Sequence, residues 1–135
     1  MDLSVFSVQQ LMVANPVMVP PAEKVQEVVR LMAALDIGAV LVGAEGKLEG
    51  IFTERDLLRH TAEAPAAWRQ EPVAAWMTRD CSTVPPTASW EQARMQMDSL
   101  HIRHLPVVQG GKVVGLVAAR DLIARMNQQL DQAVT

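Results

Sequence analysis

Residues 50–56 read GIFTERD, and residues 115–121 read GLVAARD. Gly50, Arg55 and Asp56 in the first stretch recur as Gly115, Arg120 and Asp121 in the second, but Thr53 is matched by Ala118. Thr-x-x-Asp supports two kinds of chemistry. As an N-cap followed three residues later by an acid, it satisfies the open N–H groups of a helix start. A carboxylate and a hydroxyl beside an arginine, at the positive end of a helix, can also receive a polar or phosphorylated ligand. Ala118 cannot cap, yet Asp121 persists, which points to a role for the aspartate besides capping. The benefit of an acid at a helix N-terminus, ~0.3–1 kcal/mol, is a sufficient structural reason on its own.

The elements that must position these residues are written twice. Residues 8–60 align without a gap onto residues 73–125, with fifteen of 53 positions identical, among them Pro20, Pro21, Gly46, Gly50, Arg55 and Asp56. Other pairs exchange one apolar residue for another, such as Val40 with Leu105, Leu48 with Val113 and Ile51 with Leu116. A self-match of this length signals duplication. Ser7 to Gln10 fits a Ser-x-x-Gln capping box and opens a short helix. An extended stretch over 16–21 ends in Pro20-Pro21, which disfavours helix before it. Residues 23–35 place Val25, Val28, Val29, Met32 and Leu35 at helical spacing. Strands are expected over 39–42 and 48–52, around a turn at Glu45-Gly46-Lys47 that is matched by Gly110-Gly111-Lys112. A helix then begins at Thr53 or Glu54.

This is an α/β (α+β) chain of two tandem repeats, each strand–helix–strand–strand–helix. The first repeat spans 7–60 and the second 73–126. An Ala/Pro-rich connector, TAEAPAAWRQEP, covers 61–72, and a polar tail covers 127–135, which either frays or extends the last helix. Trp68 of the connector is expected to pack back on the body. One repeat is marginal as a folding unit. Two copies packed sheet to sheet would bury the remaining apolar faces and create a pseudo-twofold axis with a pair of clefts.

Composition narrows the function. Half of the 135 residues are hydrophobic and 4% are aromatic, so the core must be aliphatic. The net charge of −3 argues against nucleic acid, whose phosphates call for a basic stripe, and no polybasic segment suggests a membrane surface. Cys81 is the only cysteine, which excludes an intrachain disulfide and fits a reducing compartment. The start MDLSVFSVQQ has no Lys or Arg ahead of its apolar residues, unlike a signal peptide, and a cytoplasmic protein is expected.

The order Met12, Val19-Pro20-Pro21, a helix, Ile37 to Val42, Gly46-Lys47 and Gly50 to Leu57 closely resembles a cystathionine-β-synthase (CBS) domain. The second copy resembles it through Trp76-Met77-Thr78, Ile102 to Val108 and Gly115 to Leu122. Together they look like a CBS pair, or Bateman module, in a stand-alone bacterial-type form. The resemblance implies a regulatory sensor without catalysis. It would bind AMP, ADP, ATP, S-adenosylmethionine or a similar adenosine ligand between the copies, with no obligatory cofactor. It also implies a homodimer formed through helices and an unidentified protein partner, with neither nucleic acid nor membrane as partner.

In that family the aspartate of Gly-x-x-Thr-x-x-Asp holds ribose hydroxyls and the Thr contacts phosphate. Carried over, these are Asp56 and Thr53, with Asp121 alone in the second copy. A carboxylate can accept from both hydroxyls of a cis-diol. Open N–H groups at the helix start could meet a phosphate, with Arg55 and Arg120 supplying charge. Val17, Met18, Pro20, Ile37 and Val40 would form an apolar wall for the base, and Gly38-Ala39, being small, would leave room for it or let a backbone approach closely. Arg103-His104 stand where the first copy has Gly38-Ala39 and would reach phosphates, unless they form a solvated strand end. The first site is expected to hold a phosphorylated ligand better than the second.

Other chemistry finds little support. His60 and His101 have no partners at metal-ligand spacing, so no metal site is expected. Cys81 has no linked histidine, and no nucleophile is paired with a base. Glu23, Glu27 and Glu91 read as solvated helix faces. The methionines read as core, and Trp76 and Trp90 as helix–helix packing. The alternative to a sensor is a constitutive dimerisation scaffold whose sites are degenerate.

Overall fold

The computed structural model describes residues 6–63 and 66–134, with side chains described through Arg120 and, beyond it, at 124, 127, 128 and 130–132. The first copy comprises α1 (Val8–Leu11), β1 (Val13–Ala14), β2 (Met18–Val19), α2 (Val25–Leu35), β3 (Ala39–Ala44), β4 (Lys47–Thr53) and α3 (Glu54–Thr61). One turn of 3-10 helix, Trp68–Gln70, interrupts the connector. The second copy comprises a 3-10 turn at Val73–Ala75, β5 (Thr78–Arg79), α4 (Trp90–Leu100), β6 (His104–Gln109), β7 (Lys112–Ala118) and α5 (Ala119–Val134).

Both hairpin strands run further than the apolar pattern alone suggests, because the ladder continues to the turn, pairing Ala44 with Lys47. α2 starts two residues later than its periodicity predicts, with Lys24 as an extended N-cap. The polar tail continues α5, and Leu130 packs against the core there.

The duplication extends to the backbone. Left-handed residues occur at Asn15 and Asp80 (φ 51° and 51°), Asp36 and His101 (53° and 55°), Glu45 and Gly110 (55° and 59°), and Gly46 and Gly111 (78° and 78°). Each pair keeps the same spacing as the sequence repeat. Asp36 and His101 end α2 and α4 with a left-handed cap. The paired positive φ values at 45–46 and 110–111 give two-residue hairpin turns that match strand twist.

The two copies exchange their opening segments. β4 pairs with β5 (Gly50 with Arg79, Ile51 with Thr78), and β7 pairs with β1 (Leu116 with Val13, Gly115 with Ala14). The sheet orders are β2-β3-β4-β5 and β1-β7-β6, with Val84 bridging Val107 where β2 would lie in the second sheet. Backbone bonds repeat the exchange. Val8, Gln9 and Trp90 N–H donate to Ala88, Pro86 and Phe6 at 2.7, 3.1 and 2.9 Å. Val73, Ala74 and Val25 donate to Glu23, Pro21 and Glu71 at the same three distances.

The compact units therefore differ from the repeats of the sequence. One is Val17–Cys81; the other joins the segment ending at Pro16 to the chain from Ser82 onward. The first is built on Val28, Val40, Val42, Phe52, Val73 and Trp76, and the second on Val8, Leu11, Ala93, Leu105, Val107 and Val117. Burying this aliphatic surface, at roughly 25 cal/mol per Å², supplies the main driving force for each unit.

Trp76 follows the Val73–Ala75 turn and lies 3% exposed in the core. Its indole N–H donates to Glu71 at 2.8 Å, and its ring meets those of Trp68 and His60 at 5.7 and 4.9 Å. Trp68 does pack back on the body, as expected.

Candidate functional site

Asp56 is the buried charged residue among those described, 7% exposed at the start of α3. The antiparallel pairing of Ala39 with Thr53 brings the end of β4 beside the start of β3, and α3 begins one residue later. Thr53 is the N-cap, extended at φ −120°, ψ 166°. Its N–H donates to Asp56 Oδ2 at 2.9 Å and its hydroxyl donates to the same oxygen at 3.1 Å. In return, Asp56 N–H donates to Thr53 Oγ1 at 3.2 Å. The capping chemistry read from Thr-x-x-Asp is thus formed in full.

The other carboxylate oxygen has a partner that sequence reasoning did not assign. Thr78 Oγ1 on β5 donates to Asp56 Oδ1 at 3.0 Å. Thr78 is exposed, whereas the carboxylate beneath it is buried. The pairing of Ile51 with Thr78 sets this contact, and that pairing exists only because β5 crosses onto β4. Trp76-Met77-Thr78 was visible as a motif; its neighbour was not.

The helix start offers a phosphate fewer open N–H groups than the sequence led us to expect. The Thr53 and Asp56 N–H groups are engaged within the cap, and Glu54 N–H donates to Gly38 O at 3.0 Å. The Glu54 carboxyl lies against Gly38, where an added Cβ would stand 3.5 Å from it. That places an acid where the resemblance led us to expect room for a ligand.

Of the apolar wall, Val17, Met18 and Ile37 are half-buried and Pro20 is exposed. Val40, at 0% exposed, and Ala39, at 4%, are core residues with almost no surface to present to a base. Arg55 is exposed on α3. All these residues belong to the Val17–Cys81 unit.

Arg103, His104 and Arg120 belong to the other unit. There Ala119 N–H donates to Arg103 O at 2.9 Å, the counterpart of the Glu54–Gly38 bond, and His104 pairs with Ala118 across the hairpin. The corner that holds Glu54 and Gly38 in one unit thus holds Ala119 and the exposed Arg103 in the other. Asp121 lies in α5, but its side chain is outside the described residues.

Among the described residues no group of three or more His, Cys, Asp or Glu could hold a metal ion, and no helix is long and apolar enough to cross a membrane. Burial pushes the Cys81 thiol above its ordinary pKa. A backbone hydrogen bond opposes this, and the neighbouring Asp80 adds to it. A raised pKa leaves little thiolate near neutrality.

The CBS domain family model matches this chain twice, over residues 8–63 and 73–128. The chain belongs to the CBS domain family. The CBS domain-containing protein YhcV of Bacillus subtilis (strain 168) is 34% identical over 132 residues, covering 96% of this chain and 93% of YhcV. The CBS-domain containing protein ATU1752 from Agrobacterium tumefaciens has a similar structure, with 32% identity, a TM-score of 0.78, and coverage of 84% of this chain and 85% of that one. The structure of CBSX2 in complex with AMP shares the fold at 21% identity and a TM-score of 0.81, covering 93% of this chain and 98% of that one. This CBS pair accordingly has the tandem-repeat α/β fold expected from its sequence.

Proposed function

We propose that this CBS pair is a regulatory module that binds an adenosine-containing ligand and conveys its occupancy to a protein partner. The observation that carries the reading is the buried Asp56 carboxylate, held at the end of a CBS repeat where hydrogen-bond donors converge. Burial in a low-dielectric setting strengthens each charge-assisted bond such a group accepts. A ribose diol is the part of an adenosine ligand that would use it. Val17, Met18 and Ile37 offer apolar surface to a base. In this unit Arg55 supplies positive charge for phosphates, a role the start of α3 is poorly equipped to fill; Arg103, His104 and Arg120 hold the positions equivalent to Gly38, Ala39 and Arg55 in the other unit.

The AMP complex of the fold neighbour CBSX2 supports the choice of ligand class. AMP, ADP, ATP and S-adenosylmethionine are the candidates. Exposed Leu35, Leu58, Met95 and Leu100 favour a homodimer formed through helices. The site is read as cytoplasmic and without catalysis.

The second reading is a constitutive scaffold. It draws on the same carboxylate, whose three internal donors could make Asp56 purely structural. Calorimetric titration with AMP, ADP, ATP and S-adenosylmethionine separates the two. The sensor reading expects at least one of them to bind more tightly than millimolar; if all four fail at that level, the scaffold reading stands.

A further inference from the structure

We propose that the Thr78 hydroxyl is an internal stand-in for a ribose hydroxyl, one that a diol-bearing ligand displaces from Asp56. This rests on the adenosine reading of the site. A carboxylate offers about four lone-pair positions to donors. Three are taken: Oδ2 by the Thr53 N–H and hydroxyl, Oδ1 by the Thr78 hydroxyl. A vicinal diol needs two positions, so at least one resident donor has to leave.

The three donors are not equally easy to move. The Thr53 N–H is fixed by the backbone at the helix cap, and the Thr53 hydroxyl also accepts the Asp56 N–H. Thr78 reaches Asp56 from a separate segment 22 residues along the chain. It sits on a strand of only two residues, and it is the exposed member of the pair. A ligand arriving from solvent therefore meets Thr78 first, and a single side-chain rotation uncovers Oδ1.

The other compact unit sharpens the point. The position equivalent to Thr53 holds Ala118, and the position equivalent to Thr78 holds Val13. Val13 pairs with Leu116 as Thr78 pairs with Ile51, so the structural place is the same. Both hydroxyls are present in one compact unit and both are missing from the other. Two residues far apart in sequence but joined through one carboxylate thus behave as a set.

NMR titrations following the Thr53 amide test the idea at this site, with AMP and 2′-deoxy-AMP as probes and Thr78→Val and Thr78→Ser as variants. Thr78→Val is expected to tighten AMP on the order of three- to tenfold, the worth of one competing hydrogen bond. It should leave 2′-deoxy-AMP within about twofold, because its single 3′-hydroxyl needs only the fourth position and does not compete with Thr78. Thr78→Ser, which keeps the hydroxyl, should match the wild type. A purely structural Thr78 would instead weaken both nucleotides together, and that result, or no change with AMP, overturns the proposal. If Thr78→Val fails to fold, Thr78→Ala is read in the same way. If the wild type binds neither nucleotide, the adenosine reading itself fails and this inference falls with it.

Discussion

Asp56→Ala is expected to lower both stability and ligand affinity, each by a large amount. The variant removes the acceptor for the Thr53 N–H, the Thr53 hydroxyl and the Thr78 hydroxyl, and it ends the reciprocal cap of α3. Losing a cap costs about 1 kcal/mol, and stranding buried donors costs about 1–3 kcal/mol more. The sum is about 2–4 kcal/mol, or a fall in melting temperature of roughly 10 °C. AMP affinity should fall about a hundredfold, because two charge-assisted bonds to the ribose are lost. Asp56→Asn keeps the shape and one acceptor, so it should recover much of the stability and little of the binding. Thermal denaturation and calorimetry on the two variants separate these effects. Unchanged AMP binding in Asp56→Ala, once folding is confirmed, would remove Asp56 from the site.

The exchanged segments carry the second large effect. Gly50 and Gly115 are equivalent glycines on β4 and β7, each covered by the opening segment of the other copy. A Cβ on Gly50 would stand 2.7 Å from the Met77 sulfur and 2.7 Å from the Thr78 carbonyl oxygen. A Cβ on Gly115 would strike the flexible Met12 side chain, while the nearest backbone atom, Val13 O, lies at 3.1 Å. A thioether can swing aside, but a sheet carbonyl cannot. Gly50→Ala is therefore expected to cost about 2–3 kcal/mol, and Gly115→Ala about 1 kcal/mol less. Urea denaturation of the two variants measures the order. Equal losses, or a reversed order, would show that the two crossings are not packed as described.

Much of this was legible in the sequence. The repeat fixed the order of elements, the capping box at Ser7 was readable, and the hairpin turns followed from Gly46 and from Gly110-Gly111. Left-handed Asp36 and His101 were not read from the sequence, because Asp and His visit positive φ more than other non-glycine residues yet far less readily than glycine. The exchange of opening segments was hidden for a more general reason. Met12 and Met77 are equivalent, and so are Gly50 and Gly115, so each opening segment fits either hairpin equally well. Local pattern cannot say which pairing the chain adopts.

The site divides along the same line. Thr53 and Asp56 lie three residues apart, so their cap is a local property that the sequence carries. Thr78 reaches Asp56 only through the crossing of β5 onto β4, and nothing in its own neighbourhood points there. Val40 was expected in an apolar wall for the base, whereas β3 is buried from Ala39 through Gly43. Glu54 was passed over as a helix residue, yet it fills the space beside Gly38.

A crystal structure of this CBS pair with AMP tests the central claim most directly. The account predicts ribose hydroxyls within hydrogen-bond distance of the Asp56 carboxylate, with the Thr78 hydroxyl turned away from Oδ1. A nucleotide bound with its ribose elsewhere, and Asp56 still held by both threonines, would contradict it.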